Sequence, residues 1–345
     1  MKVNWQRLVI ISGLILAVAL AAGYGYVRHQ IKQFAQQPVT LQQPTLVTVT
    51  PGQSVYAVVR SWRQQGWINQ HNWLRWLLKQ HPELGAIRAG TYQIEAGLTL
   101  EQALAHLAQG HEHQFSITFV EGSRWLDWQQ QLQQASHLTG LELLGDEQQL
   151  FAKLNVAQAN LEGLLYPDTY FYTAGTSVLA LLQRAQSQMA EVLAGAWESR
   201  SEVASKHLQS AYEALILASI IEKETGQQGE RALISSVFHN RLETRMRLQT
   251  DPTVIYGMGE RYDGNIRKAD LREATPYNTY VIRGLPPTPI AMPGKAAIDA
   301  AVQPESSDYF YFVSRGDGSH VFSKTLAEHN ANVRQYILNR SSTKE

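Results

Sequence analysis

The run from Leu8 to Val27 constrains this chain more than any other feature, because it carries no charge and only Ser12 as a strongly polar interruption. A helix of about 20 residues at 1.5 Å rise crosses a hydrocarbon core of roughly 30 Å. The run shows no amphipathic face, which argues against a buried core helix. Lys2 and Arg7 precede it, Arg28 and Lys32 follow it, and so the local basic residues balance. The amine of Met1 and the long polar remainder favour an N-terminus inside and the bulk outside. The competing reading is a cleaved signal peptide, since Ala17-Val18-Ala19 has the small-residue pattern of a cleavage site. The apolar run continues past it through Ala22 toward Tyr24 and Tyr26, and an uncleaved anchor is expected. Residues 1–7 then read as a cytoplasmic tail and 8–27 as the transmembrane helix. The Gln-rich, proline-containing segment 28–45 reads as a juxtamembrane stalk.

What remains of the 345 residues has room for roughly two domains. Thirty basic residues balance thirty acidic ones. Nucleic-acid binders usually carry a basic stripe, so no nucleic-acid partner is expected. There is no cysteine, hence no disulfide and no lipid-modified cysteine.

A compact unit is expected over 46–110. Val47 and Val49 alternate with threonines as a strand, and Pro51-Gly52 turns the chain. Ser54 can cap a helix whose apolar Val55, Val58, Val59 and Trp62 share one face, with Gly66 placed to stop it. Trp73, Leu74, Leu77 and Leu78 mark a second helix closed by Pro82, and Gly90–Ile94 a second strand. Thr99 and Gln102 form a capping box before Ala103, Leu104 and Leu107. Strand, helix, helix, strand with Pro-Gly-Gln-Ser after the first strand resembles a LysM glycan-binding module, although a purely structural subdomain would show the same order. The segment 111–345 mixes strands and helices without a regular βα rhythm, and the fold class is α+β. A late hairpin is expected, with Tyr309–Val313 and His320–Phe322 flanking Gly316-Asp317-Gly318. The turn Glu121-Gly122-Ser123 echoes Pro51–Ser54, each lying between a strand and a Trp-containing helix.

Chemistry is best sought between Ser210 and Gly226. Ser210 and Glu213 form a capping box, Ala214 to Ile221 is apolar except for Ser219, and the helix ends in Glu222-Lys223-Glu224. A carboxylate at the C-terminal end of a buried helix meets the negative end of the helix dipole and loses solvation. Both effects raise its pKa, as a general acid near neutral pH requires. Spacing does not choose between the two glutamates, and a solvated Glu-Lys-Glu helix end is the bland alternative.

The segment Leu217–Thr225 resembles the active-site segment of the endolytic murein transglycosylase, or YceG-like, family. The likeness continues in order through Val237–Leu242, Met246–Gly257, Tyr277–Tyr280 and Gly284–Ile290, with Leu161–Tyr170 upstream. His239 and the stretch Gln227–Arg231 depart locally. The resemblance implies that Glu222 is catalytic, and that peptidoglycan is cleaved at the β-1,4 bond following N-acetylmuramic acid to leave 1,6-anhydro ends. Because the attacking hydroxyl belongs to the substrate, one carboxylate suffices, whereas hydrolases normally carry two. It further implies a single-pass protein of the cell inner membrane, its catalytic domain periplasmic, with membrane-bound peptidoglycan synthases (penicillin-binding proteins) as partners. Substrate contacts are expected among Glu162, Tyr166, Tyr170, Gln249, Thr250, Asp251, Tyr277, Asn278 and Tyr280. Asp251 before Pro252 also reads as a helix N-cap, and each tyrosine as a buried ring with a satisfied hydroxyl. No cofactor or metal is expected, since His111-Glu112-His113 lacks the i, i+4 histidines of a zinc helix. A water-using muramidase and a non-catalytic glycan-binding scaffold are the rival readings.

Overall fold

The structure is a computed structural model, described here for residues 5–69, 71–158 and 160–338. Residues 1–4 of the expected cytoplasmic tail and 339–345 of the expected catalytic segment lie outside the described residues. The chain divides into two compact units. The first runs to Phe115 and takes in Tyr172–Ala174; the second holds Ser116–Phe171 and resumes at Gly175. This division lies five residues beyond the expected end of the first unit at Gly110.

The first unit opens with helix α1, Trp5–Gln36, long and apolar enough to cross a membrane, its apolar stretch uncovered by the rest of the chain. The expected stalk is different in kind. The helix continues through Gln36, and Ile31, Phe34 and Ala35 are buried in the core of the unit, as is Val39 beyond it. Glutamine is a good helix former, and the i, i+3, i+4 spacing of these three apolar residues is an amphipathic stripe.

Strand β1 (Thr45–Val49), helices α2 (Val55–Gln64) and α3 (Leu74–Gln80), and strand β2 (Gly90–Ile94) follow in the expected order, then α4 (Leu100–Gln109). The two strands pair antiparallel, with Val47 opposite Tyr92. Local signals predict this unit well. The Ser54 hydroxyl accepts from the Ala57 N–H at 3.3 Å, and Val55, Val58, Val59 and Trp62 are all buried. Gly66 follows the helix with φ +74°, a conformation that costs glycine little. Thr99 and Gln102 exchange both bonds of their capping box.

Strands β3 (Phe115–Thr118) and β4 (Thr169–Tyr172) pair, all but Phe115 and Tyr172 belonging to the second unit, and between them in sequence lie α5 (Trp125–Gln134) and α6 (Glu147–Leu154). Helices α7 (Val178–Glu198), α8 (Glu202–His207), α9 (Ala211–Glu224), α10 (Arg231–Glu243), α11 (Asp251–Met258) and α12 (Lys295–Val302) form the bulk. The hairpin β5 (Tyr311–Ser314) and β6 (His320–Ser323) precedes α13, Leu326–Val333. Helix α9 packs against α7, α10, α11 and α12, and every residue from Ala214 to Ile221 is buried. Its capping box is half formed. The Ser210 hydroxyl takes the Glu213 N–H, while the Glu213 carboxylate reaches one residue further back, to the N–H of Gln209. The helix stops at Thr225, already extended at φ −146°, one residue before the expected Gly226.

Candidate active site

The end of α9 presents its two glutamates to different surroundings. Glu222 is turned inward, its side chain 6% exposed. One oxygen accepts from Arg231 Nη2 at 3.0 Å, at the first residue of α10. The other accepts from the backbone N–H of Gly294 at 3.0 Å, the residue preceding α12. A second carboxylate completes this cluster. Glu121 lies so close against Gly294 that its carboxylate fills the space a Cβ there would need. Burial raises the pKa of Glu121, the charge of Glu222 raises it further, and Arg231 opposes both. The turn carrying Glu121 is fixed by the Gly122 N–H to the Met292 carbonyl and the Met292 N–H to the Ser123 carbonyl, both 2.8 Å. Lys223 Nζ donates to the Gly122 carbonyl at 3.0 Å. Sequence reasoning noted this turn only as an echo of Pro51–Ser54 and passed over Arg231 as a departure.

Glu224 faces the opposite way, into a cavity of about 470 Å³ that Gln249, Asp251, Tyr280 and Arg241 also line. The Thr250 hydroxyl donates to its Oε1. Burial pushes this carboxyl up to about 7 and the nearby charge of Asp251 adds to the rise, against the Thr250 hydrogen bond and the Arg241 charge. The Tyr280 hydroxyl donates to Asp251 Oδ1 at 2.7 Å. Asp251 therefore spends its side chain on Tyr280; α11 begins at Asp251 itself, with Thr250 in the cap position and Pro252 in the first turn. Gln249 holds φ +49°, uncommon outside glycine, with its N–H on the Thr279 carbonyl at 3.2 Å. The next N–H, of Thr250, goes to the Thr279 hydroxyl at 3.0 Å. These bonds lock the Gln249–Asp251 segment beside Glu224. Arg241 is held under the cavity by the carbonyls of Phe310 at 2.7 Å and Leu248 at 2.5 Å, and its guanidinium carbon stands 5.3 Å from the centre of the Tyr311 ring. Arg241, Tyr311 and His329 of the cavity lining were missed from sequence, since their motifs gave no reason to prefer them.

The remaining candidates fall elsewhere. Glu162 is 5% exposed, and its oxygens accept the Trp125 N–H at 2.9 Å and the Tyr256 hydroxyl at 3.1 Å. Burial pushes it up to about 7 as well, and it links α5 to α11. Tyr277 belongs with it, edge-on to Tyr256 at 4.7 Å and bonded to Thr288 at 2.9 Å. Asn278 is 1% exposed and ties the loop by donating to the Asp270 and Glu273 carbonyls. Tyr170 is buried, its hydroxyl on the Tyr166 carbonyl at 2.6 Å. Tyr166 is half-buried, which raises its hydroxyl pKa, and the charge of Glu121 raises it further. Thus Gln249, Thr250, Asp251 and Tyr280 gather around Glu224, while Glu162, Tyr170, Tyr277 and Asn278 support the framework. Of the histidine cluster, Glu112 lies against Gly90 and accepts the Thr91 N–H.

A carboxyl that burial pushes up to about 7, lining an open cavity with Gln249, Asp251, Tyr280 and Arg241, can both give and take a proton at neutral pH. The chain is 31% identical to a protein of Bacillus subtilis named endolytic murein transglycosylase, over 88% of this chain and 89% of that one. A protein of the same name from Streptococcus pneumoniae is 27% identical over 95% of this chain and 65% of its own length. The crystal structure of a YceG-like protein from Listeria monocytogenes superimposes with a TM-score of 0.53 at 27% identity, covering 84% of this chain and 99% of that one. Residues 47–335 match the profile of the YceG-like family, and the chain belongs to that family.

Proposed function

We propose that this protein is a membrane-anchored endolytic murein transglycosylase, the activity for which its Bacillus relative is named, and that Glu224 carries the reaction. The observation behind the assignment is a carboxyl pushed up to about 7 that faces a cavity of about 470 Å³ with Gln249, Asp251 and Tyr280 around it. The resemblance of sequence alone pointed to Glu222. That carboxylate accepts from Arg231 and from the Gly294 N–H and is the rival assignment; the cavity and the raised pKa support its neighbour.

In the reaction, protonated Glu224 gives its proton to the glycosidic oxygen as the bond to the muramic anomeric carbon breaks. The resulting carboxylate takes the proton of that ring's 6-hydroxyl, whose oxygen closes on the anomeric carbon. The products are a free 4-hydroxyl on N-acetylglucosamine and a 1,6-anhydro end, with Glu224 protonated again. Asp251 lines the same cavity, which favours a water-using muramidase as the second reading, since hydrolases carry a pair of carboxyl groups. Digestion of purified sacculi with wild-type protein decides between them: anhydro ends support the transglycosylase, reducing ends the muramidase, and no cleavage leaves a glycan-binding scaffold.

The first unit is read as the LysM-like glycan-binding part. A groove of about 270 Å³ supports this, running along β1 with Gln53, Ser61, Gln65 and Trp67 on its walls. With α1 as anchor, N-terminus in the cytoplasm and the rest in the periplasm, both units work beside the strands that inner-membrane peptidoglycan synthases extend. A reporter fused after Glu345 that is active only in the cytoplasm would reverse this orientation.

A further inference from the structure

Where α1 leaves its apolar stretch, a second polar cavity opens that the glycan chemistry does not use. It holds about 330 Å³ between α1, the end of α3 and the start of α4. Arg28, His29 and Lys32 line it from α1, and Gln80 and His81 from the α3 end. Its floor includes Ile31, Ala35 and Leu77, all buried. Acidic groups are few. Glu101 lines the cavity, and Glu83 is bonded to His81 at 3.1 Å.

Three features decide what fits. Arg28 and Lys32 stand one turn apart on one face of a helix, so both cations address the same volume. Ile31, Phe34 and Ala35 are packed in the core of the unit, so the direction of that face is fixed by the fold. The position along α1 sets the depth. Tyr24 and Tyr26 are exposed on the last turns of the apolar stretch, as interfacial aromatic residues are, and the Arg28 guanidinium carbon lies 5.9 Å from the Tyr24 ring centre. The cavity therefore opens at the level of lipid headgroups.

We propose that this cavity binds the phosphate of an anionic membrane lipid, with Arg28 and Lys32 as its cationic ligands and Ile31 and Leu77 under the glycerol. The proposal rests on the reading of α1 as a membrane anchor. Exposed cations hold a free phosphate weakly, but a lipid already confined to the membrane surface is presented at high effective concentration. Basic side chains at that depth also gain from the negative potential of an anionic leaflet.

The test uses the full-length protein in a neutral detergent, with lipid retention read by native mass spectrometry. Wild type is expected to retain one phosphatidylglycerol in preference to phosphatidylcholine by about thirtyfold, the size expected for two interfacial cations. Arg28→Gln/Lys32→Gln should abolish the preference, while Lys153→Gln, on α6, keeps it. An unchanged preference in the double variant overturns the site. Equal retention of both lipids by wild type overturns it too, and displacement by millimolar inorganic phosphate shows a simple anion site instead. Flotation with phosphatidylcholine vesicles is measured alongside; failure of wild type to float would remove the anchor reading, separately from the lipid preference.

Discussion

Glu222 and Glu224 stand two residues apart at the end of α9, and a helix turns about 200° between such positions. On one side of that helix end Glu222 meets Arg231 and Gly294, and on the other Glu224 lines a cavity. On the first, Arg231 and the Gly294 N–H satisfy both oxygens of Glu222, with Glu121 crowded against them. On the second, Thr250 supplies one donor to Glu224 and burial holds its proton. Under the proposed assignment, one helix terminus joins elements on one face and does proton chemistry on the other. A desolvated carboxyl beside a cavity keeps its proton to a pH at which a general acid is useful.

The sharpest way to break this comparison is to remove each carboxyl in turn. Glu224→Gln is expected to lose about 10²–10⁴-fold in release of anhydro-ended fragments from sacculi, with the fold intact by thermal melting. Activity that survives there and vanishes in Glu222→Gln would exchange the two roles.

Glu222→Gln should act on stability instead. A buried guanidinium left facing an amide costs about 3–5 kcal/mol, to be read from the urea midpoint at low temperature, where activity should persist. Glu121 is placed to soften this loss, because its proton is held partly by the charge of Glu222. The double variant Glu121→Gln/Glu222→Gln should therefore fall further than the sum of the single ones. Additive effects would separate Glu121 from the cluster.

A pH series sharpens the other side. Glu224 holds its proton to about 7 in the folded chain against 4.5 ordinarily. The folded state then binds more protons than the unfolded one between those values, and stability falls as pH rises through the window. Glu224→Gln carries no charge to bury, so it should gain on wild type in denaturant midpoint between pH 5 and pH 8. The acid form is also the active one, and wild-type kcat/KM should decline above about pH 7. A flat profile from pH 6 to 9 would contradict the assignment.

The smallest effect concerns the first unit. Gln65→Ala removes one hydrogen-bonding group from the wall of the groove along β1. Co-sedimentation of the full chain with sacculi should weaken about threefold to tenfold, as for one lost hydrogen bond. No change would leave the unit a structural one.

Local grammar was legible in the sequence. The Ser54 cap, the Thr99–Gln102 box and the Gly316–Gly318 hairpin each depend on neighbours within a few positions, and the structure has all three. The roles of the two glutamates were not legible from spacing, because Arg231 is nine positions from Glu222 and Gly294 seventy-two. The segment after the anchor was read from its glutamines and prolines, while the apolar stripe Ile31, Phe34 and Ala35 lay in plain view. Glu162 and Asn278 stand in motifs that resemble those of the family, and motifs alone do not separate a residue that touches sugar from one that holds the wall upright.

The path of the chain between its two units has an evolutionary side. The first unit is not closed by a single stretch of sequence, since Tyr172–Ala174 belongs to it. There the Tyr172 ring stacks on Phe115 at 5.6 Å, which in turn meets His113 edge-on at 4.7 Å. A gene fragment ending near residue 110 would leave behind the aromatic pair that seals the unit, and a cut between 111 and 114 would not free it cleanly. Recombination has no single seam here. Grafting the first unit onto another enzyme therefore requires carrying the tip of β4 as well.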